Sequence, residues 1–141
     1  MKKLILLGAA FSVVFASCQS KQVENNDQKL SEQAIAVHDE IMPQISHFDK
    51  STIVIDSVLT NLATIKETQT TLDTAKTRVD LTNLKDSIEN ATDNMMTWMK
   101  DYDPENVDET YQQKEVDKIN AMKNQFDRVS ENIKTLLAPF N

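Results

Sequence analysis

Gly8 is the only glycine in the 141-residue chain. Every turn after it must be made by residues for which positive φ is unfavourable. This one absence excludes several chemistries. Phosphate-cradling loops, dinucleotide-binding turns and the strand-to-helix elbow of serine hydrolases all use glycine for close backbone approach or left-handed backbone. Three prolines and frequent Lys, Glu, Asp, Gln, Asn and Thr accompany it. The composition predicts an all-α domain with short connections.

Hydrophobic spacing agrees. A first stripe runs from Ile35 through His38, Ile41, Met42, Ile45, Phe48, Ile55, Leu59 and Leu62 to Ile65, with the three-and-four steps of one buried helical face. Ser31 is its expected N-cap and Glu32 lies in the first turn. Pro43 sits inside the stripe and is expected to kink the helix. The β-branched run "STIVIDSV" could be a strand, but no partner strand is evident, so it reads as helix. "TQTTLD" reads as a turn, with Thr70 and Asp73 spaced as a capping box.

A second stripe joins Leu72, Ala75, Val79, Ile88, Ala91, Met95, Trp98, Met99 and Tyr102. "DYDPEN" ends it. Asp103 with Pro104, or Asn106 with Glu109, can open the third helix. Its stripe runs from Val107 through Tyr111, Val116, Ile119, Met122, Phe126, Val129 and Ile133 to Leu136 and Leu137, and Pro139 closes it. The expected fold is an antiparallel up-down-up three-helix bundle of coiled-coil character, with helices at 31–67, 71–102 and 104–138.

The N-terminus reads as an address. Lys2 and Lys3 precede an apolar segment, Leu4 to Val14, which has the length of a signal-peptide core and is too short to span a bilayer. Phe15-Ala16-Ser17-Cys18 follows and resembles the lipobox of bacterial lipoproteins, although Phe15 stands where Leu is usual. That resemblance implies cleavage after residue 17 and a diacylglyceryl group on Cys18, which would anchor the protein to a membrane. An ordinary secretory peptide shares the general layout. Cys18 is the only cysteine, so it has no internal disulfide partner. Residues 18–30 then form the lipidated end and a flexible polar tether, and 31–141 form the bundle.

Loss of residues 1–17 removes two lysines and no acids, which moves the net charge from −7 to −9. A chain this acidic does not seek nucleic acid or anionic lipid by electrostatics. No base is placed against a nucleophile, and the expectation is a non-enzyme.

Antiparallel pairing about the first turn sets His38 level with about position 101 and Met42 with about 97. "HDEIM" and "MMTWM" then face each other. His38, Met42, Met95, Met96, Met99 and Trp98 are a candidate ligand cluster, with Tyr102 and Tyr111 at the same end. Imidazole and thioethers suit Cu(I), and a His–Met pair can ligate haem iron. The same residues equally make an ordinary core, since Met fills gaps beside aromatic rings. His38 is then a half-buried histidine bonded to a tyrosine or carboxylate. His47 lies about half a turn around the helix from His38 and cannot share a metal with it.

"AVHDEIMP" and "MMTWMKDYDPEN", with the Cys18 segment, resemble a group of small Bacteroidota envelope lipoproteins often labelled "viral A-type inclusion protein". His38, Asp39, Glu40, Met42, Pro43, Met95, Met96, Trp98 and Met99 carry the likeness. It implies a helical fold and outer-membrane placement in the cell envelope, and no activity. The reading is a lipid-anchored structural or protein-interaction module with an unidentified protein partner. Its alternative is a metal- or haem-binding lipoprotein. Ile53 and Val54 lie off the first stripe and are a candidate surface for a partner or a second copy.

Overall fold

The computed structural model describes residues 25–140. The signal segment, Cys18 and the first part of the tether lie outside the described residues. Three helices, α1 (Asn26–Thr68), α2 (Thr74–Asp101) and α3 (Glu109–Leu137), are followed by a 3₁₀ turn, Ala138–Phe140. There is no strand among the described residues, and "STIVIDSV" lies within α1. No described helix is long and apolar enough to cross a membrane.

Cross-helix contacts give the topology. His38 meets Trp98, and Asp56 meets Lys85 farther along α1 but earlier in α2, so these helices are antiparallel. Asn26 with Glu109, Glu40 with Lys123 and Gln44 with Ser130 rise together, so α1 and α3 are parallel. The up-down-up bundle is therefore the fold.

Its core keeps a seven-residue period. Ala34, Ile41, Phe48, Ile55 and Leu62 are buried on α1. Leu81, Leu84, Ile88, Ala91, Met95 and Trp98 alternate steps of three and four on α2, and Gln112, Ile119, Phe126 and Ile133 step by seven on α3. A strict heptad runs slightly ahead of the 3.6-residue turn, so helices that keep it wind left-handedly around one another. Phe48 and Phe126 stack with centroids 4.9 Å apart at mid-bundle. Ala91 falls at the same level by the α1–α2 register, small where the two rings are large.

The boundaries differ from the expected ones for local reasons. α1 starts at Asn26, so the tether is helical from that residue; Asp27 lies in the first turn and Asn26 bonds Glu109 across the bundle. Ser31 is not a cap but a buried mid-helix residue. α2 opens at Thr74 because the Asp73 carboxylate accepts from Lys76 N at 3.0 Å. α3 opens at Glu109, where Asp108 accepts from Thr110 N at 2.9 Å, and Asp103–Pro104 stays in the loop. Pro43 is exposed on α1, which continues as helix through it. The carbonyl of Asp39, deprived of its donor, belongs to an exposed residue that water can reach.

The stripes also shift. Val79 and Ala75 point outward, and Leu81 and Leu84 take the core positions of α2. Val107 and Ile35 are exposed.

Candidate functional site

With no glycine among the described residues, the turns are made by other means, and the α2–α3 loop shows how. Asp103 Oδ1 accepts from Glu105 N at 3.0 Å, and Asn106 Oδ1 accepts from Asp108 N at 2.9 Å. These side-chain-to-backbone bonds mimic turns. No described residue has positive φ. Gln112, fully buried in the first turn of α3, locks the loop from below. Its amide nitrogen donates to Asp103 O at 3.1 Å and to Asn106 O at 2.8 Å.

Around this lock lies a polar and aromatic cluster at the end of the bundle where α1 begins. The Tyr102 hydroxyl is 2.9 Å from Gln112 Oε1 and 3.1 Å from Ser31 Oγ. Ser31 donates to Pro104 O at 2.9 Å. Two hydroxyl protons serve three short contacts, so Tyr102 donates to one neighbour at a time. Burial pushes the Tyr102 phenol above its ordinary pKa, against a smaller opposing effect of the Ser31 bond. The Tyr111 hydroxyl accepts from Asp103 N at 2.8 Å.

Trp98 is the hub. Its ring lies 4.5 Å from Tyr102 and 5.9 Å from His38, and Tyr102 lies 6.5 Å from Tyr111. Its indole Nε1 donates to Glu115 Oε2 at 2.9 Å, while Lys118 Nζ donates to Glu115 Oε1 at 2.6 Å. Glu115 is buried, with side-chain exposure of 6% against 62% for Lys118. The hydrogen bond to Glu115 raises the Lys118 pKa, with further contributions from the charges of Glu115, Tyr111 and Asp101. Among the described residues no buried side-chain nitrogen or oxygen lacks a partner.

Trp98, Glu115 and Lys118 also line a groove of about 470 Å³ between α2 and α3, together with Asp101, Tyr111 and Met122.

The expected ligand cluster is brought together in part. His38 stacks on Trp98, and its Nδ1 lies 3.0 Å from the Asp39 carboxylate. Trp98, Tyr102 and Tyr111 share that end as expected. The methionines divide: Met95 is fully buried, Met42 packs half-buried against the core, and Met96 and Met99 are exposed. A soft ion arriving from solvent would meet the exposed side chains of Met96 and Met99 but not the fully buried Met95. Among the described residues no group of three His, Cys, Asp or Glu side chains is arranged to hold a metal. Of the candidate partner surface, Ile53 is exposed and Val54 is half-buried against the core.

Sequence reasoning did not identify Ser31, Gln112 and Glu115 as buried. The available signal was periodic: Gln112 continues the spacing of seven back from Ile119 and Phe126, and Glu115 that back from Met122 and Val129.

No protein-family model, curated protein or solved structure matches the chain.

Proposed function

We propose that this protein is a lipid-anchored bacterial envelope lipoprotein that acts without catalysis, as a structural or protein-interaction module. One observation carries the reading. The only cysteine, Cys18, ends an apolar segment behind Lys2 and Lys3, and the helical bundle begins at Asn26. Residues 19–25 separate the two. Even fully extended, so short a link spans about 25 Å, which would hold the bundle close to the bilayer. Two acyl chains anchor stably where one does not, at about 0.8 kcal/mol per buried CH₂. The charge of −9 left after cleavage supplies no alternative electrostatic hold on an anionic leaflet.

A module of this kind works through its faces. Ile53, on α1, is the exposed apolar side chain of the candidate surface for a protein partner or a second copy. Light scattering on the purified protein separates monomer from homo-oligomer.

The anchor is tested by mass spectrometry and fractionation of cells producing the chain. The expected result is a mature N-terminus at Cys18 carrying a diacylglyceryl adduct in the membrane fraction, with Cys18→Ser moving the protein to another fraction or leaving it unprocessed. Recovery of wild-type protein with an unmodified Cys18 in the soluble fraction would refute it.

A further inference from the structure

We propose that the groove between α2 and α3 binds an aliphatic primary ammonium ion, such as a small diamine or polyamine, with the Glu115 carboxylate as its anchor. This inference is independent of the lipid anchor.

The groove's volume, about 470 Å³, is within the range of small-molecule sites. Its walls are apolar where Trp98, Tyr111 and Met122 meet, and its charge is concentrated on two carboxylates, Glu115 and Asp101. Glu115 is the unusual one. It is a buried acid, and a buried carboxylate demands charge-assisted partners. An ionised carboxylate offers about four acceptor directions. Two are taken, one by the Trp98 indole N–H and one by the Lys118 ammonium.

Lys118 shows which chemistry fits. It brings an ammonium on an alkyl stem to Glu115 Oε1 at 2.6 Å, at the edge of the groove. Its side chain is mostly exposed, so it can leave for solvent, but the buried Glu115 would then stand uncompensated unless another ammonium took its place. With Lys118 in place the charged lining residues sum to a net single negative charge, and with Lys118 withdrawn to two. Lys118 therefore acts as an internal stand-in for the ligand and as its competitor.

Charge decides against other classes. An anion would meet a net-negative groove in a net-negative chain. Calcium takes six to eight oxygen ligands, which two carboxylates between aromatic walls do not supply, and magnesium keeps several waters that the apolar walls of Trp98 and Met122 leave without hydrogen-bond partners. An alkylammonium places its charge at Glu115 and its methylenes against Trp98, Tyr111 and Met122. A second amine answers Asp101.

The walls are held in advance. Trp98 is fixed by Glu115 and by stacking on Tyr102, and the Tyr111 hydroxyl is tied to Asp103 N. Little ordering remains for a ligand to induce.

Trp98 is the only tryptophan and lines this groove, so its fluorescence responds to a ligand bound there. The purified full chain is titrated with cadaverine and spermidine at constant ionic strength, with MgCl₂ as the charge control. The expected result is a saturable change in emission with the amines and none with magnesium. Lys118→Ala should tighten binding at least threefold by removing the competitor. Glu115→Gln should abolish the saturable change. Asp101→Asn, an exposed substitution, should weaken binding severalfold and keeps the test open if Glu115→Gln does not fold. A response that is linear in amine, matched by magnesium, or weakened by Lys118→Ala would overturn the proposal.

Discussion

Gln112→Leu removes the side chain that closes the α2–α3 loop while keeping nearly the same volume. Three hydrogen bonds disappear: two from the amide to Asp103 O and Asn106 O, and one from Tyr102 to Gln112 Oε1. At about 1 kcal/mol net for each bond, the loss is about 3 kcal/mol. Burying Leu in place of a polar amide returns part of it, about 1 kcal/mol. Tyr102 keeps Ser31 as an acceptor, and Asp103 is exposed, so its carbonyl finds water. The expected destabilisation is therefore about 2 kcal/mol, read from urea unfolding followed by circular dichroism at constant m-value. Gln112→Glu should be worse at neutral pH, because a carboxylate would face two carbonyl oxygens without a proton to give. Its protonated form can donate one bond, so the folded state binds that proton more tightly than the unfolded state. The deficit should shrink as pH falls toward the carboxyl range. If Gln112→Leu changes stability by less than about 0.5 kcal/mol, or Gln112→Glu shows no such pH dependence, the lock is not where the loop's stability resides.

Three further outcomes follow from the same structure. Pro43→Ala restores a helical N–H on an exposed face of α1 and should raise thermal stability, by up to about 3 kcal/mol if the helix tolerates proline poorly there; an unchanged Tm would mean that hydration of the freed carbonyl already offsets the loss. The raised pKa values of Tyr102 and Lys118 mean that the folded state holds these protons more tightly, so stability is fully present below the ordinary values and declines as pH rises through about 10 and above. Alkaline melts should show that decline, with a shallower slope in Tyr102→Phe. Cu(I) under reducing conditions should leave the Tm within about 1 °C if the methionine cluster is packing alone, whereas a ligand-dependent rise lost in His38→Ala with Met99→Ala would assign it a metal.

Much of this molecule was determined by short-range chemistry and could be read from the chain. One glycine in 141 residues, outside every described turn, leaves helices joined by Asx-type bonds as the workable design. The apolar spacing from Ile41 to Leu62 and from Val116 to Leu137 selected the right helical faces, because a period near 3.5 is a property of one segment. The nearness of His38 to Trp98 followed from antiparallel register alone.

Other features exist only because three helices meet. The α2 stripe was misplaced at Ala75 and Val79, since either face of that first half carries enough apolar residues to be the inner one, and the contact with α1 and α3 chooses Leu81 and Leu84. Ser31, Gln112 and Glu115 look like surface residues in sequence, and they are buried because Pro104, Tyr102 and Trp98, distant along the chain or across a loop, bring the partners that make burial tolerable. A segment carries its own period, but a polar side chain cannot carry its own desolvation, and so the helices could be read locally while the groove at Glu115 could not.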